Sequence, residues 1–81
     1  LAETYNVDVC PHFLMELHVG LCAAVPNARW VEYIPQLDDL TAEPMKIENG
    51  HAIPSNAAGL GIAWDRHKLA RARLWDPVVI R

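Results

Sequence analysis

An apolar helical run from Phe13 to Val25, set between two short strand-like segments, restricts this chain more than any other feature. Val7-Asp8-Val9-Cys10 is short, rich in β-branched residues and closed by Pro11, as a buried strand would be. Leu14, Leu17, Leu21 and Ala24 then recur at spacings of three and four, and Gly20, Ala23 and Ala24 permit close approach, which predicts a helix packed on a sheet. Pro26-Asn27 ends that helix. Arg29 to Ile34 follows before Pro35, and period two puts Trp30, Glu32 and Ile34 on one face and Val31 and Tyr33 on the other. Strand, crossover helix and strand make a βαβ unit with parallel strands.

The unit carries an ionisable side chain at each strand, His12 just after Cys10-Pro11 and Glu32 twenty positions later. In a parallel barrel the C-terminal strand ends line the active site, and both residues fall there. A complete (β/α)8 barrel needs roughly 250 residues, however, and this chain has 81. It opens on Leu1 rather than Met, with Leu1-Ala2-Glu3-Thr4-Tyr5 reading as the last turn of a helix, so the expectation is a fragment.

Composition narrows the partners. With 52% hydrophobic residues, 21% charged residues and a net charge of -3, nothing attracts nucleic acid globally. No apolar run reaches the 18 or so residues of a membrane span, because Glu16 and His18 interrupt the longest one. Nor does a basic stretch precede an apolar leader segment. Cys10 and Cys22 lie in apolar surroundings without disulfide-scaffold spacing, so reduced, buried thiols and a cytoplasmic location are expected.

Beyond Pro35 the texture changes. Gln36 to Glu43 is acidic and loop-like. Met45 to Glu48 and His51 to Pro54 flank Asn49-Gly50, a pair suited to the two positive φ values of a type I′ hairpin turn. Asn56 to Gly61 is a small-residue loop, and Asp65 is placed to cap a basic helix running through Trp75 until Asp76-Pro77 stops it. Arg66, Lys68, Arg71 and Arg73 on that helix read as a solvated face ahead of a surface for an acidic partner. His51 and His67 belong to no constellation and are expected on the surface.

Each chemical reading has a plain rival. A lone histidine beside proline is usually a surface residue, although histidine is the commonest general base. Glu32 would be costly to bury alone, so it belongs at a wet edge or in a functional cavity. Cys10-x-His12 and His18-x3-Cys22 offer two cysteines and two histidines to zinc, but at a spacing unlike common zinc modules. Gly59-Leu60-Gly61 lacks the third glycine and the Lys-Ser or Lys-Thr of a phosphate loop.

Pro11-His12-Phe13-Leu14-Met15-Glu16-Leu17-His18, then Ala23-Ala24-Val25-Pro26, Trp30-Val31-Glu32, Glu43-Pro44, Asn49-Gly50 and Gly59-Leu60-Gly61-Ile62, resemble the C-terminal part of the mandelate racemase/muconate lactonizing enzyme branch of the enolase superfamily. The Pro-His-Phe and Trp-Val-Glu segments look closest to acid-sugar dehydratases of the galactarate/talarate type. The resemblance runs from about Leu1 to Asp65. It implies an α/β fold, the C-terminal fragment of a TIM-like (β/α)8 barrel: residues 1–35 as the last βαβ unit, 36–65 as a loop and β-hairpin returning to a capping domain, and 66–81 as a C-terminal helix and tail. It also implies Mg2+-dependent removal of the proton α to a carboxylate. The pairing of a lysine or histidine base with magnesium is a trait of the superfamily rather than something these residues establish. His12, at the end of the seventh strand, would be the base and could return its proton to a departing β-hydroxyl. Glu32, on the eighth, would hydrogen-bond or protonate a substrate carboxylate oxygen.

The three metal-binding carboxylates, the second-strand lysine and the aspartate that orients the histidine belong to earlier strands in the family. The 81 residues alone are therefore expected to be inactive, with His12 an ordinary imidazole. The implied partners are a small carboxylate substrate, a sugar acid, together with the rest of the barrel, the capping domain and further copies of the enzyme; nucleic acid and membrane are not among them. The chain departs from the family's Pro-Gly-Leu-Gly at Ala58. A racemase or cycloisomerase on the same fold, a non-catalytic remnant and a small zinc module are the alternatives.

Overall fold

The computed structural model describes residues 1–80; Arg81, the end of the expected tail, lies outside the described residues. A single turn of 3-10 helix, Glu3–Tyr5, is closed by Asn6 in the left-handed conformation, with φ 53° and its N–H on the Glu3 carbonyl. Asparagine tolerates that conformation better than most residues, so the opening helical turn stops where the sequence says it should.

The next segment meets its expected partner over one residue pair. Val9 and Ala28 form an isolated parallel bridge, with Val9 N–H on the Asn27 carbonyl at 2.8 Å and Arg29 N–H on the Val9 carbonyl at 3.2 Å. The Asn27 amide adds a bond to the Val7 carbonyl at 2.9 Å. The parallel relation across the helix is present, but neither Val7–Cys10 nor Arg29–Ile34 is a strand, and the first is not buried. Val7 and Cys10 are exposed and Val9 is half-buried. The pairing does not continue past this bridge, so the two segments remain extended chain touching at a point. The face expected to hold Trp30, Glu32 and Ile34 is likewise open, with Trp30 77% exposed.

Helix α1, Met15–Ala24, is apolar on nearly every side. Its buried stripe is Met15, Glu16 and Val19, not the Leu14, Leu17, Leu21 and Ala24 stripe read from the spacing; Leu21 and Ala24 are exposed. A helix with two apolar faces buries the one for which the chain supplies a partner, here the segment after Ile34. Among the described residues, Met15 and Val19 are the whole of the buried apolar core.

The C-terminal half wraps that face. A helical turn at Leu37–Thr41 leads into an antiparallel bridge between Thr41 and Trp64, flanked by Ala42 N–H on the Ala63 carbonyl and Asp65 N–H on the Leu40 carbonyl. Between them, β1 (Lys46–Glu48) and β2 (His51–Ile53) form the expected hairpin, pairing Lys46 with Ile53, Ile47 with Ala52 and Glu48 with His51. Asn49 and Gly50 both have positive φ, 50° and 77°, as a type I′ turn demands. Gly61, at φ 71°, lies against Ser55 so closely that a Cβ there would come within 2.7 Å of the serine Cβ.

Helix α2, Arg66–Ala72, begins on Asp65, whose carboxylate accepts from the His67 and Lys68 N–H groups. Those two bonds, Lys68 first, hold the Asp65 carboxyl below the usual carboxylate range against a smaller opposing effect of desolvation. The helix stops three residues short of the expected Trp75, because Leu74 and Trp75 are exposed and find nothing to pack on. Its face is not purely solvated either: Lys68 Nζ reaches the carbonyls of Asp38 at 3.2 Å and Thr41 at 2.8 Å, tying α2 to the turn at Leu37–Thr41.

Candidate active site

His12 and Glu32, twenty residues apart in sequence, meet directly: the His12 Nδ1 and a Glu32 carboxylate oxygen, Oε2, share a hydrogen bond. A carboxylate only accepts, so Nδ1–H is the donor of this bond. Both side chains face solvent, the imidazole 78% and the carboxylate 41% exposed. The pair thus contributes orientation rather than appreciable stability.

Local backbone geometry makes the meeting possible. Phe13 and Leu14, directly after His12, both adopt positive φ, 66° and 41°, and neither is glycine or asparagine. Such conformations cost on the order of 1–3 kcal/mol each and persist only where surrounding contacts hold them. In this arrangement the Phe13 N–H donates to Glu32 Oε2 at 3.0 Å, and the Phe13 carbonyl accepts from the His18 ring, Nδ1 to O at 2.7 Å. The Phe13 N–H is the main reason that the Glu32 carboxyl lies below its usual range; desolvation opposes it, and the His12 hydrogen bond and charge reinforce it. Glu32 is therefore anionic at neutral pH and suited to hold the imidazole.

The first turn of α1 grips the other side of the Glu32 segment. Ile34 N–H points at the Met15 sulfur at 3.2 Å, and Leu37 N–H donates to Glu16 Oε1 at 3.2 Å. Glu16 is buried, with Oε2 lacking a protein partner among the described residues. Met15 and Glu16 thus hold the chain beyond Glu32 while the Phe13 N–H holds its carboxylate, so the Glu32 segment is anchored on the start of α1.

Sequence reasoning singled out His12 and Glu32 and overlooked the Phe13 amide. Glu16 stood out in the sequence only as a charge interrupting the longest apolar run; its place beside Met15 and one turn before Val19 was the available signal. No residue type announces the left-handed pair at Phe13 and Leu14. The alternative zinc constellation of Cys10, His12, His18 and Cys22 does not assemble: among the described residues no three His, Cys, Asp or Glu side chains gather as a metal site. Both cysteines are free, but Cys10 is exposed and Cys22 only half-buried, against the expectation of two buried thiols. Burial, with a smaller contribution from Cys10, pushes the Cys22 thiol up. A groove of about 530 Å3 between α1, residues 28–31 and the hairpin tip is lined by Val19, Cys22, Trp30 and His51 rather than by the pair. Among the described residues, no helix is long and apolar enough to cross a membrane.

Residues 1–68 match a family described as enolase C-terminal domain-like. An L-talarate/galactarate dehydratase of Salmonella typhimurium strain LT2 is 33% identical over 75 residues, 93% of this chain and 18% of that protein. A crystal structure of an enolase from Bradyrhizobium, complexed with magnesium and mandelic acid, shares the fold with a TM-score of 0.77 over 86% of this chain and 19% of that one, at 23% identity. The chain spans about a fifth of the length of these relatives.

Proposed function

The chain belongs to the enolase C-terminal domain-like family, in the mandelate racemase/muconate lactonizing enzyme branch of the enolase superfamily, and on that premise we propose that it is the C-terminal part of an acid-sugar dehydratase. In this reading residues 1–35 are the last βαβ unit of a barrel, 36–65 run back toward a capping domain, and 66–81 close the chain. The observation that carries the reading is the direct contact of His12 with Glu32, fixed by the Phe13 N–H. A parallel pair one bridge long, with its outer faces in water, supports reading residues 1–35 as a barrel segment.

In the proposed reaction His12 Nε2 removes the proton α to the carboxylate of a sugar acid. Glu32 holds Nδ1–H, fixes the tautomer and stabilises the imidazolium that forms. The same imidazolium is then placed to give its proton to the departing β-hydroxyl. The other role proposed for Glu32, donation of a hydrogen bond to a substrate carboxylate oxygen, requires the protonated carboxyl and so replaces its anionic role toward the imidazolium rather than adding to it. The chain's residues do not fit a magnesium ion, since no three candidate ligands gather among the described residues. The ion of this family is assigned to carboxylates outside residues 1–81, and the 81 residues alone are proposed to be inactive.

A hybrid tests this directly. Replacing the matching fifth of the Salmonella dehydratase by this chain should give a protein that dehydrates galactarate in the presence of magnesium. His12→Asn should then lower turnover by about 10^2- to 10^4-fold, the usual range for a lost general base. A folded hybrid whose turnover ignores His12 would overturn the proposal.

A further inference from the structure

His18, in the first turn of α1 and six residues after His12, points back over the start of its own helix, as helical side chains do. The ladder of α1 begins at Leu14, whose carbonyl accepts from the Leu17 and His18 N–H groups. The Phe13 carbonyl therefore lies ahead of the ladder, and it takes its bond from the His18 ring at 2.7 Å. The other side of Phe13, its N–H, is the donor to Glu32 at 3.0 Å.

We propose that His18 is a positioning residue: by holding the Phe13 carbonyl through Nδ1–H, it keeps Phe13 in the left-handed conformation from which the Phe13 N–H reaches Glu32. An aromatic residue at φ 66° is unfavourable for an L-amino acid, and relaxation to an ordinary negative φ would turn the N–H and C=O by well over a right angle relative to each other. The two hydrogen bonds can be made together only while Phe13 stays where it is. Losing the His18 bond removes one of the two hydrogen bonds that oppose the relaxation, and the carboxylate that holds His12 loses its backbone donor. The plain rival is that His18 merely satisfies a carbonyl near a helix start, in which case nothing at Glu32 should respond to its removal. The catalytic consequence rests on the role proposed above for Glu32; the mechanical link from His18 to Glu32 does not.

The Phe13 amide proton is the readout, measured by NMR on the full chain. Hydrogen-bonded to a carboxylate, its resonance must move as Glu32 titrates. In His18→Leu, which lacks a donor, that response should be lost; in His18→Asn, whose side-chain amide can donate from the position of Nδ1, it should return. Circular dichroism of α1 reports whether each variant is folded. Persistence of the response in folded His18→Leu, or its loss in folded His18→Asn, overturns the proposal. If His18→Leu does not fold, His18→Ala, which also lacks a donor and adds no bulk, takes its place. A response that behaves as expected while the hybrid enzyme shows no turnover would count against the dehydratase reading and leave His18 in its positioning role.

Discussion

Met15→Ala should cost this chain most of its fold, although it removes one side chain from a surface helix. Met15 is 2% exposed, and with Val19 it makes up the buried apolar core among the described residues. Truncating a buried methionine costs about 2–5 kcal/mol, and the Ile34 N–H also loses the sulfur it faces at 3.2 Å. The reserve against that loss is small. A compact domain of this length has a stability of roughly 4–12 kcal/mol. This chain exposes 6919 Å2, where a compact monomer of its size would expose about 4,900 Å2. Its radius of gyration is 15.3 Å against about 12 Å for a compact chain. With some 2,000 Å2 more surface in water than a compact chain would leave, the reserve lies near the lower end of the range. A loss of about 3 kcal/mol shifts the folded ratio more than a hundredfold. Urea unfolding followed by far-UV circular dichroism measures the effect. Leu21→Ala, on the same helix at 65% exposure, is the control and should stay within about 0.5 kcal/mol of the parent. Met15→Leu, which nearly conserves volume, should cost less than about 1.5 kcal/mol. Equal losses for Met15→Ala and Leu21→Ala would refute the assignment of the core to the Met15, Glu16 and Val19 face.

Other perturbations have local readouts. Asp65→Ala should fray α2, and in the parent the cap should be sensitive to acid: its carboxyl is depressed on folding, so its contribution is complete above the ordinary carboxylate value of about 4 and is lost as pH falls through the folded one. Amide exchange at His67 and Lys68 that stayed equally protected down to strongly acid pH would contradict this. Gly50→Ala places an L-residue at φ 77° in open space, so its cost is backbone strain alone, about 1–2 kcal/mol, visible as faster amide exchange in β1 and β2 with α1 unaffected. Unchanged hairpin protection would show that the turn does not set the register. Lys68→Met removes the ammonium from the Asp38 and Thr41 carbonyls and should loosen the turn at Leu37–Thr41 before it affects the hairpin, an order that residue-resolved exchange can reverse or uphold.

What could be read from residues alone follows the physics of each element. Asn49-Gly50 was legible because few residue pairs accept two positive φ values in succession, and Asp65 because a carboxylate ahead of a helix has one obvious use. The pairing of Val9 with Ala28 was legible in direction but not in extent, since extent depends on neighbouring strands that a local pattern does not contain. The choice of buried face on α1 was misread for a related reason: the Leu14, Leu17, Leu21 and Ala24 stripe is the more apolar, and the segment after Ile34, which covers Met15, Glu16 and Val19, selects the other. At the site, the twenty-residue interval marked His12 and Glu32, but the contact between them depends on Phe13 and Leu14 in a conformation that their side chains disfavour. A conformation imposed by tertiary contacts leaves no trace in residue type.

The most direct measurement is deuterium incorporation at the carbon α to the carboxylate of galactarate, followed by proton NMR with the hybrid dehydratase in D2O and magnesium. Exchange or dehydration is expected in the hybrid carrying the native His12, with its loss in His12→Asn and no exchange by the 81 residues alone. Exchange that survives His12→Asn in a folded hybrid would contradict the assignment of His12 as the base.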